Sequence, residues 1–187
     1  MNEEEKLVAK LKNLYETRHI FDPELHELAS HLEMEFKNPY ASYIEYEICV
    51  NDPDFDDPDS DWVKYEYLKQ AADGGHPEGL FGLGCTYFYG EFGYEIDWEL
   101  AFMYLSQAST AGFTNDSGEL KLLRDAMQDG VVVLNDYLKV MHMDIPDAVK
   151  IQQFKIWLDE GKITKKAFKR NKKIFNDFKK TYGGSYM

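Results

Sequence analysis

The chain has 187 residues, of which 44% are apolar and 15% aromatic, enough to bury a core and to exclude a disordered polymer. Its formal net charge is −13, and its two cysteines, Cys49 and Cys85, are too few for a disulfide framework. The opening MNEEEKLVAKL has neither a basic n-region nor an apolar h-region, and the longest wholly aliphatic run, 131–134, falls far short of the ~20 residues a membrane span needs. The expectation is a chain of the reducing cytoplasm, with no signal peptide and no membrane span.

Charge is distributed unevenly. Residues 162–187 hold nine lysines and arginines against one acid, Asp177, a balance of +8, so residues 1–161 carry −21. Such a body repels nucleic acid, whose binding depends on cationic contacts, and attracts a basic protein.

Helix punctuation is legible along the chain. Asn2 precedes three glutamates and an apolar stripe at Leu7, Val8, Leu11, Leu14 and Tyr15. Asp22-Pro23-Glu24 opens a second helix, with Leu25, Leu28, Ala29, Leu32 and Phe36 on one face, and Asn38-Pro39 breaks it. Tyr40, Tyr43, Ile44 and Ile48 fit a third helix better than a strand. Asp61 is expected to cap a fourth, which Gly74-Gly75 ends; Pro77 begins a fifth, and Asp97 caps a sixth that Gly112 closes. Further helices are expected from about Ser117, Val131, Pro146 and Thr164. Two-residue alternation is absent, except as a weak trace over 43–50, so the fold class is all-α.

Internal repetition refines that. YLKQAADGGH at 67–76 aligns with YLSQASTAGF at 104–113, an offset of 37, and the Asp-Trp pairs 61–62 and 97–98 lie 36 apart. A helix pair repeating at this period predicts an α/α solenoid. It also explains five glycines in 82–113, a cost of ~1 kcal/mol each within a helix. Gly82 and Gly84 let a neighbouring helix approach, Gly90 and Gly93 turn the chain, and Gly112 ends a helix.

Leu83-Gly84, Tyr87, Gly90, Gly93, Asp97, Ala101, Tyr104, Ala108 and Gly112 together resemble the Sel-one-like repeat, a relative of the tetratricopeptide repeat. Residues 61–75 resemble the second half of a preceding unit, while 22–50 and 117–143 keep the helices without the glycines. The resemblance implies a right-handed superhelix with a concave protein-binding face and no catalytic residues. Leu158, Asp159-Glu160, Gly161, Ile163-Thr164, Phe168 and Lys172-Lys173 resemble the short C-terminal helical hairpin found at the ends of bacterial proteins, although Ala167 stands where its capping box has an acid. The expected organisation is an α/α repeat domain over 1–143 and a helical hairpin with a basic last helix over 144–187.

Other chemistries find little support. Gly82-x-Gly84 follows a helix rather than the strand a phosphate loop requires. The run NDPDFDDPDSD, with six aspartates in eleven residues, has Asp57 and Val63 where a calcium loop needs glycine and glutamate. His26 and His31 are five apart, not the four that stacks two zinc ligands, and no cysteine or serine sits in a nucleophile motif. No cofactor, metal or enzyme activity is expected.

The expected function is therefore a non-catalytic protein-interaction module. Its most specific form is an inhibitor or immunity protein that neutralises a basic toxin such as a nuclease. A regulatory adaptor or chaperone-like scaffold is the alternative. The candidate contact residues are Asp52, Asp54, Asp56, Asp57 and Asp59, as a steering rim, and Tyr40, Tyr43 and Tyr46, as anchors.

Overall fold

The computed structural model describes residues 1–55, 60–114, 118–131, 134–143 and 145–182. These form ten α-helices and one 3-10 turn, with no strand among the described residues, as the all-α expectation requires. Contacts divide the chain into two compact units, Met1–Asp116 and Ser117–Met187. The division falls earlier than the 143/144 boundary read from sequence, because the two helices after Asp116 pack onward in the chain.

The first unit comprises α1 (Glu3–Thr17), α2 (Pro23–Phe36), α3 (Pro39–Asn51), a 3-10 turn (Pro53–Phe55), α4 (Asp61–Asp73), α5 (Pro77–Tyr89) and α6 (Trp98–Thr110). Local side chains decide where these helices start. Asn2 Oδ1 accepts from the Glu5 amide at 2.7 Å while Glu5 Oε2 accepts from the Asn2 amide at 2.8 Å, a complete capping box. Asp22, Asn38 and Asp97 cap α2, α3 and α6 through their side-chain oxygens, each contributing about 1 kcal/mol. Asp61 does not cap α4 as expected. The helix begins one residue sooner, so Ser60 is the N-cap and Asp61 lies in the first turn, 3.3 Å from Lys64 Nζ.

Each helix of this unit packs on its sequence neighbour, and α3 also touches α1 and α5. The first three helices share a core in which Leu11, Leu25, Leu32, Ala41 and Ile44 are fully buried. Tyr65, Leu68, Leu80, Leu83 and Ala108 form a second core between α4, α5 and α6. A buried leucine contributes roughly 1.5–3 kcal/mol.

Close helix approach makes the second core possible. A Cβ on Gly84 would lie 2.7 Å from Leu105 Cγ and 3.1 Å from the Leu105 backbone nitrogen; one on Gly82 would lie 2.8 Å from Leu68 Cδ1. The α5–α6 turn needs left-handed backbone at Gly90 (φ +74°), and also at Phe92 (φ +54°), where side chains are disfavoured. The Phe92 ring packs against the second core, which offsets that strain.

The second unit holds α7 (Gly118–Gln128), α8 (Leu134–His142), α9 (Asp147–Asp159) and α10 (Lys165–Tyr182). Thr164 caps α10 by accepting from the Ala167 amide at 3.2 Å and donates to the Asp129 carbonyl. The buried Asp129 carboxylate meets Lys166 at 2.9 Å and Arg170 at 2.8 Å, and the buried Tyr137 hydroxyl donates to Asn171 at 2.8 Å. Two cations of the basic segment thus serve the unit's own packing.

Gly84→Leu should overpack the α5–α6 contact and cost roughly 1–3 kcal/mol, because the obstructing atoms include backbone. Thermal unfolding checks it: the melting temperature should fall by several degrees, and an unchanged or higher value would contradict the close-approach argument.

Candidate functional site

α3 begins at Pro39, so its residues 40, 43 and 47 fall on one face, three and four apart. That face meets α1 and the start of α5. Tyr43 stacks on His76 with ring centroids 4.7 Å apart and planes 23° from parallel, while Tyr40 meets the same imidazole at 5.4 Å. Tyr15 of α1 packs edge-on against Tyr40 at 6.4 Å, and Tyr46 lies 6.1 Å from Tyr43. All five rings are half-buried.

A second aromatic group continues within the same unit. Tyr65 stacks on Tyr94 at 4.1 Å, its hydroxyl lies 2.9 Å from that of Tyr87, and Tyr87 stacks on Tyr104 at 5.8 Å. Tyr46 and Tyr87 both pack against the second core and so link the two groups.

Carboxylates surround these rings. The Tyr43 hydroxyl donates to Glu47 Oε1 at 2.8 Å. Burial pushes the Tyr40 hydroxyl up to about 12, with Tyr15, Glu16 and Glu78 adding to the shift. Burial raises Tyr46 to about 12 as well, aided by Glu47 and Glu91, and it raises Tyr43 further, with the Glu47 hydrogen bond next in effect. The phenols therefore stay neutral donors. One cation is already seated here: Lys12 Nζ stands 5.2 Å from the centroid of the Tyr40 ring, in reach of a cation–π attraction. Residues 1–116 hold 25 acidic and 7 basic side chains, and none of residues 70–120 is a lysine or arginine.

The structure brings Tyr40, Tyr43 and Tyr46 together with each other and with Tyr15 and His76. It places Asp52 and Asp54 differently, at the end of α3 and in the 3-10 turn, where Asp52 Oδ1 accepts from the Asp54 amide at 3.0 Å. Asp56, Asp57 and Asp59 lie outside the described residues. The acids that act on the tyrosines are instead Glu16, Glu47, Glu78 and Glu91.

His76 is a member that sequence reasoning missed. It is the N-cap of α5, and its Nδ1 accepts from the Gly79 amide at 3.3 Å, a bond only a ring nitrogen without a proton can make. Its place directly before Pro77 was the available signal, since an N-cap commonly precedes a proline at the first helical position. Burial lowers its pKa below the ordinary 6.5; Lys12 lowers it too, and Glu78 opposes.

Among the described residues no helix is long and apolar enough to cross a membrane, and no group of three or more His, Cys, Asp or Glu is placed to hold a metal ion. Comparison with protein-family models, with curated proteins and with solved structures returns no match.

The depressed His76 pKa has a definite sign. Above about 6.5 both folded and unfolded chains keep the ring neutral; below it the unfolded chain takes up the proton first, so stability falls until the folded pKa is passed. His76→Asn keeps a capping side chain but cannot titrate. The difference in melting temperature between the native chain and His76→Asn should therefore shift against the native chain as pH falls from 8 to 5, whereas parallel curves would contradict a buried neutral imidazole.

Proposed function

We propose that the chain is a non-catalytic protein-binding module of the cytoplasm, built from Sel-one-like helix pairs, that takes up a basic partner on the tyrosine face of α1, α3 and α5. The observation that carries this is the Lys12 ammonium over the Tyr40 ring, on a face whose tyrosine hydroxyls feel the charges of Glu16, Glu47 and Glu78. A half-buried aromatic face with carboxylates beside it offers an incoming lysine or arginine both ring contact and charge pairing. Half-buried tyrosines suit interface anchors, because they present large rigid area and a polar tip.

The repeat assignment is supported by the packing. Helices that each contact their chain neighbours, with α3 also reaching α1 and α5, match an array of stacked pairs. The Gly84–Leu105 approach falls at a glycine of the Sel-one-like pattern. The packing of α9 on α10, with Gly161 left-handed between them and Thr164 capping the second, supports the C-terminal hairpin resemblance.

A binding role is also favoured over catalysis by the buried thiol. Burial pushes Cys49 up to about 11, with Glu45 and Asp52 adding to the shift, so it is not a thiolate nucleophile at neutral pH. The most specific form of this reading is an inhibitor of a basic toxin. Acidic charge speeds the encounter with such a protein and competes for the surface that would hold a nucleic acid. A basic partner that is not a toxin would make the chain an adaptor.

Affinity capture from native cell extract, followed by binding kinetics with the captured protein, tests the reading. The partner should be basic and should elute as salt rises. Tyr43→Ala should speed dissociation and cost about 2 kcal/mol, whereas Glu47→Gln with Glu78→Gln should chiefly slow association. An acidic partner, or binding indifferent to both salt and Tyr43, would refute it.

A further inference from the structure

A pocket of about 340 Å³ opens on the other side of α3, between that helix, the α1–α2 connection and α4. Ile20, Phe21, Ile48 and Val63 form apolar walls, and Tyr67 adds an aromatic one. Its volume lies at the lower end of the roughly 300–1,000 Å³ typical of small-molecule sites, and apolar walls with few polar groups are the usual composition.

The polar group at its base is Glu45. Its side chain is only 4% exposed, although carboxylates are almost never buried without partners. Ser30 Oγ donates to Oε1 at 2.6 Å, and His26 Nε2 stands 3.4 Å from Oε2. These two contacts leave acceptor capacity on a group with about four lone-pair sites. Asp52 is a second carboxylate in the lining, and no lysine or arginine is among the described residues that line the pocket. Lys64, whose charge is felt at Cys49, is held by Asp61 at 3.3 Å. Packing alone does not call for a carboxylate here, since an apolar residue would fill the space at lower desolvation cost.

We propose that this pocket binds a small organic cation: an ammonium group on Glu45, carried by an apolar or aromatic body that fills the space between Ile20, Phe21, Ile48 and Val63. An ammonium placed there compensates the buried negative charge and donates to its remaining lone pairs, while the body removes apolar wall from water. A neutral ligand of equal shape gains only the second effect, and an anion is repelled by Glu45 and Asp52. Tyr43 and Glu45 are two residues apart, roughly 200° around a helix, so the pocket and the tyrosine face use opposite sides of α3. The inference therefore does not rest on the protein-binding reading.

Calorimetric titration of the full chain at neutral pH with 2-phenylethylammonium, 2-phenylethanol and 3-phenylpropionate tests it. The ammonium should bind at least tenfold more tightly than the alcohol, and the carboxylate should not bind. Glu45→Gln, which can still accept from Ser30, should remove the preference for the ammonium and leave the alcohol's affinity unchanged. Val63→Phe, which fills the pocket, should abolish binding of both. Equal affinity for ammonium and alcohol, an ammonium preference that survives Glu45→Gln, or undiminished binding to Val63→Phe would each overturn the proposal. Should Glu45→Gln fail to fold, the ammonium preference of the native chain and its loss in Val63→Phe decide the matter alone.

Discussion

The first unit depends on how closely α5 lies against its neighbours. Gly79 faces Ala71 and the backbone of α4, Gly82 faces Leu68, and Gly84 faces Leu105 of α6, each so near that an added Cβ would fall within 3 Å of another atom. These contacts seat the N-terminus of α5 beside α3, and there His76 caps the helix and stacks on Tyr43. The tyrosine face thus has a packing origin. Move α5 outward by the width of a methyl group and the imidazole loses its ring partners, while Tyr87 loses its register with Tyr65 and Tyr104.

Charge then acts on a surface that packing has already shaped. The tyrosines are apolar enough to share in the cores and polar enough to remain at their edge. Glu47 holds the Tyr43 hydroxyl, and the other glutamates stand near enough to make a phenolate still less favourable. Such a face is poorly suited to binding an anion. Lys12 occupies it from within the chain. The second unit handles its charge differently: the buried Asp129 pairs with Lys166 and Arg170, while Lys165, Lys169, Lys172 and Lys173 of α10 are exposed.

Most of the helices were legible because their signals are local. Asn2, Asp22 and Asp97 cap where their spacing to proline or to an apolar stripe says they should, and Asn38, legible as the break after α2, also caps α3. Asp61 resembled them, but Ser60 already provides the start of α4, so the acid falls one residue inside. Gly84 could be understood before its contact was seen, since the repeat offset implied a facing helix. What depends on distant partners was hidden. His76 finds Tyr40 and Tyr43 more than thirty residues upstream, and nothing around His76 in sequence announces an aromatic partner. Glu45 was hidden for the opposite reason: an acid within a largely apolar helix, two residues from Glu47, looks like a solvent-facing position, and only the fold shows it 3% exposed. The tyrosines of α3 were identifiable as a group, but of the acids that act on them only Glu47 lies on α3, and Glu16, Glu78 and Glu91 come from other segments rather than from the aspartate run that dominates the sequence.

The central claim is that the aromatic face of α1, α3 and α5 is where a basic protein docks. Nuclear magnetic resonance of ring-labelled tyrosines and histidines, followed while an arginine-rich peptide is added, tests it most directly. The resonances of Tyr15, Tyr40, Tyr43, Tyr46 and His76 should move together and return as salt is raised. Those rings remaining still while Tyr67, Tyr137 or His31 respond, or a response that salt does not reverse, would contradict the account.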